Sequence, residues 1–335
     1  MTVSRVLNRA DLVSAETRDK IQQVIDVLHY QPSPMAQGLA THTTQIIGLM
    51  MYSDVEYYYL HQILLGVERA ARMNGYDLLI FANPEEHNLR GNPRLGLVDG
   101  VLCFGHPIPN EALEKLELEG IPYAVIGRRN WRQVAPWHYA PDYIRGFGDV
   151  TRYLLNLGHQ NIAMMGGSPH FEVDLEKYSG FQQALFEAGI PYNPAMTVYD
   201  DESFKIKGII EKFRPTTVIA ERNSLLALLL AARELGLRIP QDISVIGTGR
   251  ELDVQTLHKL TGVHELTIVE VPWQELGAGG IQMLTELIRG EEPEQEQTIP
   301  LRFTIGESCA PPLYPQIVTG NNFALKKEVA DERSK

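Results

Sequence analysis

From Ile46 onward the chain alternates between short apolar runs and longer amphipathic segments, and this alternation limits the possible folds more than any other feature. Runs such as Ile46–Met51 and Tyr123–Gly127 have the length of buried strands, whereas Leu60–Asn74 repeats its apolar residues at helical spacing. Strands that alternate with helices form parallel sheets with helices on both faces. The sequence therefore predicts an α/β protein.

Two successive series of such elements are present, and 335 residues are too many for one ordinary core. We predict strands at 46–51, 77–82, 98–105, 123–127, 161–166, 216–220, 242–247 and 299–305, and helices at 60–74, 110–119, 145–157, 174–188, 223–235 and 273–289. They divide into two doubly wound lobes, 46–144 plus 273–298 and 145–272 plus 299–312, with a loose tail at 313–335. Ligands of such sheets bind beyond the carboxyl ends of the strands.

The segment before Ile46 has a different, helical character. Ser14 is a good N-cap for a helix at 14–31, whose apolar face holds Ile21, Val24, Ile25 and Leu28. Residues 2–8 can form a short helix and residues 34–40 one or two helical turns, followed by a linker. We expect a separate all-α unit at 1–31 and a hinge at 32–45.

Composition excludes several classes of protein. A net charge of −12 argues against a surface that binds nucleic acid throughout, although a small DNA-binding segment remains compatible with it. Apolar runs are too short to span a membrane, and no signal peptide is recognisable. Cys103 and Cys309 are too far apart in sequence to suggest a disulfide framework or a metal site, which fits the cytoplasm.

No catalytic signature or cofactor motif is found. The phosphate-binding, nucleophile-elbow and zinc-protease patterns are absent. Gly277–Gly280 lies inside a predicted helix, where tight packing explains it better than phosphate binding, and we expect His159 to be a capping or packing residue. No enzymatic activity, metal or cofactor is therefore expected.

Many short motifs in order resemble the lactose-repressor family of bacterial transcriptional regulators. They run from Thr2-Val3-Ser4-Arg5-Val6-Leu7-Asn8, through Asp99-Gly100-Val101 and Leu157-Gly158-His159, to Ile239-Pro240-x-Asp242-Ile243-Ser244-Val245-Ile246-Gly247. The resemblance covers residues 1 to about 310. It implies a core like the type I periplasmic binding proteins, preceded by a helix-turn-helix headpiece, in a homodimer or larger homo-oligomer that reads pseudo-palindromic operator DNA.

By matched position, the resemblance also implies which residues meet DNA. Thr2, Ser4 and Asn8 would contact phosphates, Arg5 a base edge or phosphate, and Leu39 would wedge into the minor groove. Tyr30 belongs to the same predicted DNA-binding set. Met1 directly precedes the matched recognition helix, so we expect an incomplete headpiece, through a misplaced start codon or a real loss of DNA binding, and favour the first.

The family's effector site draws on both lobes. Matched positions place Tyr58, Tyr59, Phe104, Arg128, Lys177, Arg222 and Arg250 around the crevice, with Glu221 beside Arg222 and Thr248 near Arg250. Arg222 and Arg250 stand where sugar-binding members carry amides and acids. With Lys177 they would give the crevice three cations and few acids, which favours an anionic effector such as a sugar phosphate or a carboxylate. The resemblance thus implies a DNA-binding, effector-responsive regulator, most often a repressor; the alternative is an effector sensor that has lost DNA binding.

Overall fold

A computed structural model describes residues 13–28, 43–52, 57–82, 93–105, 108–127, 137–199, 204–249 and 253–313. The predicted helix at 14–31 is observed as α1, Ala15–Leu28, and none of its residues is buried. The predicted DNA-contacting residues Thr2, Ser4, Arg5, Asn8, Tyr30 and Leu39 lie outside the described residues, as does most of the predicted hinge.

The first lobe is a six-stranded sheet in the order β11-β5-β4-β3-β1-β2, and all its strand pairs are parallel. Its strands are β1 (Ile46–Tyr52), β2 (Asp77–Ala82), β3 (Gly100–Gly105), β4 (Tyr123–Ile126), β5 (His138–Pro141) and β11 (Glu296–Ile299). Its helices are α2 (Tyr57–Met73), α3 (Asn110–Leu118) and α9 (Trp273–Ile288).

The second lobe repeats this plan with the order β12-β10-β9-β8-β6-β7, in which only the β10–β12 pair is antiparallel. Its strands are β6 (Ile162–Met165), β7 (Thr197–Val198), β8 (Thr217–Ala220), β9 (Ser244–Thr248), β10 (Thr267–Glu270) and β12 (Arg302–Thr304). Its helices are α4 (Tyr143–Asn156), α5 (Glu172–Glu187), α6 (Ile206–Phe213), α7 (Arg222–Glu234) and α8 (Val254–Thr261).

Each sheet separates two hydrophobic clusters, because successive strand residues point to opposite faces. In β1, Ile47 and Leu49 pack with α2 and α9, whereas Met50 and Tyr52 pack on the side of α3. In the second lobe one cluster lies under α6, α7 and α8 and the other under α4 and α5. The prediction of two parallel-sheet lobes with helices on both faces is confirmed.

Some elements differ from the prediction. The single strand expected at 299–305 is wrong: Pro300 separates β11 from β12, and the two belong to different sheets. Ile299 pairs with Pro141, so the first lobe extends one residue beyond the boundary expected at 298. Elements β5, β7, β10, α6 and α8 were not expected from the sequence.

Candidate functional site

The chain passes between the lobes three times, and each passage leaves from the carboxyl end of a strand. β5 leads into α4, β10 into α9 and β11 into β12. The passages lie side by side: the Asp142 amide donates to the Ile299 carbonyl at 2.9 Å, and the Arg302 guanidinium pairs with Glu275 of α9. The carboxyl edges of the two sheets therefore face one another, which is where ligands of such sheets bind.

On the second-lobe edge, Lys177 lies between two carboxylates. Its Nζ donates to Asp174 Oδ1 at 2.9 Å and to Glu221 Oε2 at 3.0 Å. Asp174 and Lys177 are three residues apart on α5 and so share one face of the helix, while Glu221 directly follows β8. The Thr248 hydroxyl at the end of β9 donates to Glu221 Oε2 at 3.3 Å. We call Asp174, Lys177 and Glu221 the ionic cluster.

Two glycines after β6 make room for this cluster. Gly166 and Gly167 both have positive φ, 110° and 75°. A β-carbon on Gly166 would lie 2.1 Å from Glu221 Cβ, and one on Gly167 would lie 2.8 Å from Asp174 Cγ. The Ser168 amide then donates to Asp174 Oδ2 at 2.7 Å. The strand end is thus shaped so that both carboxylates can approach Lys177.

Burial and neighbouring charges act in opposite directions on the pKa of Lys177. Burial lowers the pKa of Lys177, but Glu221 and Asp174 raise it by more, so it lies above its ordinary value and the ammonium stays charged. Burial also raises the pKa of Tyr143 well above its usual range, against an opposing effect of Lys177. The charged ammonium thus lies within 3.0 Å of an oxygen of each carboxyl group.

Aromatic side chains lie around the cluster and along the lobe connections. The Lys177 ammonium is 5.4 Å from the ring centroid of Tyr143 and 6.0 Å from that of Phe147. At the start of α9, the Trp273 ring lies 4.6 Å from that of Tyr59, centroid to centroid. Trp273, Tyr143 and the acid Asp174 were not in the predicted set, although each is close to a residue that was.

Comparison with known proteins gives two family matches. The model described as "Periplasmic binding protein-like domain" matches residues 151–309, and the model described as "Bacterial regulatory proteins, lacI family" matches residues 1–33. The chain is 31% identical over 319 residues to the HTH-type transcriptional repressor PurR of Erwinia tasmaniensis, covering 91% of each chain. It belongs to the LacI family.

Further relatives agree with this assignment. Catabolite control protein A of Priestia megaterium is 26% identical over 302 residues, covering 87% of this chain and 89% of that protein. A solved complex of the transcriptional regulator CelR with cellobiose superimposes with a TM-score of 0.66 at 25% identity, covering 91% and 94% of the two chains. This LacI-family protein is therefore an effector-modulated, DNA-binding transcriptional regulator and not an enzyme.

The structure places only part of the effector set predicted for this LacI-family chain. Arg128 and Arg250 lie outside the described residues. Tyr58 and Arg222 are placed by their backbone alone, in the first turns of α2 and α7. Phe104, at the end of β3, is 7% exposed and packs in the first-lobe core, so little of its ring is left to meet a ligand.

The expectation of three cations with few acids is wrong for Lys177. Two carboxylates already pair with this ammonium, and one of them, Asp174, is absent from the predicted set. The reason is local: Asp174 stands one helical turn before Lys177, and a buried cation without a partner would be costly. Lys177 alone therefore gives no reason to expect an anionic ligand.

His159 and the glycines of α9 have structural roles, as expected. The buried His159 ring bonds through Nδ1 to Thr216 Oγ1 and through Nε2 to the Ala310 carbonyl, both at 2.9 Å. A β-carbon on Gly277 would lie 2.6 Å from the Ile63 carbonyl oxygen, so this glycine permits close packing of α9 on α2. Within the described ranges, no three metal-ligating side chains converge. None of the described helices has the length and apolar character needed to cross a membrane.

Proposed function

We propose that residues 1–45 bind a pseudo-palindromic operator in the cytoplasm and that an effector bound between the facing sheet edges alters this binding. Operator contact would come from Thr2, Ser4, Arg5, Asn8, Tyr30 and Leu39. An effector that contacts both lobes stabilises one arrangement of the lobes over the others. The operator affinity of the protein then shifts toward the affinity of that stabilised arrangement. The observation that carries the proposal is the ionic cluster, a buried set of donors and acceptors at the carboxyl edge of the second sheet.

We further propose that the effector is a neutral, hydroxyl-rich molecule. The ionic cluster offers an ammonium donor and carboxylate acceptors in one place, next to the Thr248 hydroxyl. Trp273 and Tyr59 add aromatic surface near the connection between the lobes. Hydroxyl groups both donate and accept, so they suit this mixture, whereas a phosphate would meet two carboxylates. An anionic effector would require Arg128, Arg222 and Arg250 to outweigh those acids.

A thermal-shift panel tests the effector class. Neutral mono- and disaccharides are compared with their phosphorylated forms, and we expect neutral compounds to raise the melting temperature more. Lys177→Met should abolish the shift, whereas Lys207→Met, which breaks an exposed Lys207–Glu234 pair, should preserve it. Stabilisation by the phosphorylated forms alone would show that the effector is anionic.

DNA binding is tested by in vitro selection of DNA duplexes with the purified wild-type protein. We expect enrichment of a palindrome whose affinity falls steeply with salt, because phosphate contacts release counterions. Arg5→Ala should weaken binding and relax the preference at one base pair in each half-site. Failure to enrich any sequence, with an effector still bound, would favour the sensor alternative.

A dimer is proposed through the exposed face of α7 and α8, because a symmetric operator requires a symmetric reader. Leu226 and Leu230 stand one turn apart on α7 and are 44% and 45% exposed, and Val254 on α8 is 58% exposed. In sedimentation at micromolar concentration we expect a dimer that Leu226→Glu with Leu230→Glu converts to a monomer. Leu118→Glu, on the exposed side of α3, serves as the control and should leave the dimer intact. A dimer that survives the double change would place the interface elsewhere.

A further inference from the structure

The Asp99 carboxylate holds the residues that connect the core to everything before it. Its Oδ1 accepts from the Thr44 amide at 2.6 Å and from the Thr44 hydroxyl at 2.7 Å, and its Oδ2 accepts from the Gln45 amide at 2.9 Å. Both carboxylate oxygens are therefore used on two consecutive residues. Thr44 and Gln45 are separated from Asp99 by more than fifty positions in the chain.

Neighbouring backbone groups complete the attachment. The Gln45 carbonyl accepts from the Asp77 amide at 2.9 Å, the Ile46 carbonyl accepts from the Asp99 amide at 2.8 Å, and the Ile46 amide donates to Thr44 Oγ1 at 3.3 Å. Gln45 has φ of 57°, in the left-handed region that non-glycine residues rarely adopt. Such a conformation persists only where its surroundings impose it. Here it turns the chain sharply just before β1 begins.

We propose that Asp99 is a positioning residue that fixes the direction in which the linker to the DNA-binding segment leaves the core. This inference rests on the proposed function. Residues 43–45 join β1 to residues 1–42 along the chain, so they give a covalent path by which a change in the lobes can reach the operator-binding segment. A linker whose direction is fixed where it joins β1 transmits that change. A linker that rotates freely there samples many directions, so the change is lost.

The chemistry explains why a carboxylate is needed at this position. Three N–H or O–H donors converge on it, and hydrogen bonds to an ionised acceptor are stronger than those between neutral groups. An asparagine could serve Thr44 with its oxygen, but its amide nitrogen would then face the Gln45 N–H, donor against donor. Asp99→Asn therefore releases Gln45 while keeping nearly the same shape.

Hydrogen exchange and operator affinity together test the role. In Asp99→Asn we expect the Thr44 and Gln45 amides to exchange at least tenfold faster, because their acceptor is weakened or lost. Affinity for the duplex selected by the wild-type protein should fall about tenfold, because a loosened linker must be ordered again on binding. The melting temperature of the core should change little.

The controls separate positioning from general stability. Asp149→Asn makes the same change at an exposed carboxylate of α4 in the other lobe and should alter neither readout. If Asp99→Asn fails to fold, Thr44→Val and Thr44→Ser carry the test. Valine removes one donor to Asp99 and should weaken operator binding, and serine keeps the donor and should not.

The outcomes also distinguish this inference from the function on which it rests. A wild-type protein that selects no DNA overturns the proposed function and this role with it. A wild-type protein that selects an operator to which Asp99→Asn and Thr44→Val bind equally well overturns the role of Asp99 alone. Equally fast exchange of the Thr44 and Gln45 amides in wild type and Asp99→Asn would show that the attachment does not form.

Discussion

The two lobes share one architecture but are stabilised by different kinds of contact. In the first lobe, α2 and α9 pack so closely that Gly66 and Gly277 leave no room for a β-carbon. In the second lobe, the carboxyl edge of the sheet carries the ionic cluster, in which each side chain is nearly buried. The first arrangement cannot accept an added atom, and the second cannot lose a charge. An added methyl group should therefore destabilise the first lobe, and the loss of a charge should destabilise the second.

Loss of the Lys177 charge should have the largest effect. Lys177→Met leaves Asp174 and Glu221 facing one another without a cation, and breaking one partner of a buried ion pair costs about 3–5 kcal/mol. Urea unfolding measures this change in the free energy of unfolding. Lys207→Met, at an exposed pair, should leave the free energy of unfolding nearly unchanged, because solvent screens such a pair. If both variants lost the same free energy of unfolding, the ionic cluster would stabilise the second lobe no more than an exposed ion pair does.

A single methyl group should damage the first lobe. A β-carbon on Gly66 would lie 2.0 Å from the Gln274 carbonyl oxygen, so Gly66→Ala must push α2 and α9 apart. Overpacking of this kind costs about 1–3 kcal/mol. Gly208→Ala in α6 is the matched control, because no atom lies within 4 Å of the added carbon; it should stabilise the protein by about 0.5–1 kcal/mol. A Gly66→Ala protein as stable as wild type would show that the helices have room to spare.

The smallest expected effect is a dependence of stability on pH. It comes from His159, a buried polar residue that precedes β6, at the edge of the second sheet opposite the ionic cluster. Burial lowers the pKa of His159 below its ordinary 6.5, against an opposing effect of the Ala310 carbonyl. The unfolded chain then binds more protons than the folded chain, so stability is present above pH 6.5 and is lost as pH falls below it. Urea unfolding at pH 7.5 and 5.5 should show this loss, and His159→Gln should reduce it. The exposed His61→Gln should leave it unchanged.

Much of the fold could be predicted because its central strands are continuous apolar runs. The predicted bounds of β2 match the structure, and those of β1 and α9 lie within one residue of it. β5 was missed because His138–Pro141 is short and ends in proline, so pairing with its neighbours, rather than its own composition, makes it a strand. α6 could have been found, since Ile206, Ile209, Ile210 and Phe213 recur at helical spacing.

The candidate site was less predictable, because charge neutralisation depends on contacts that no local pattern records. Matched position identifies both Lys177 and Glu221 but says nothing of the ion pair between them. Asp174 had a usable signal, being three residues earlier on the same helix, but Glu221 approaches only because β6 and β8 are adjacent in the sheet. Resemblance to a family indicates where a ligand binds, while the partners of each charge follow from three-dimensional contacts such as those of Asp174 and Glu221 with Lys177.

The three passages between the lobes also impose an order on synthesis. α9 supplies Leu276, Ile281 and Leu284 to the first-lobe core, yet it is made only after the contiguous strands β6 to β10 of the second lobe. On the ribosome, the strands β1 to β5 therefore emerge long before the helix that covers one of their faces. The second lobe likewise waits for β12 and for the residues that follow it, since Gly306 and Ser308 hydrogen-bond to β9 and β10, so both lobes are completed only near the end of synthesis.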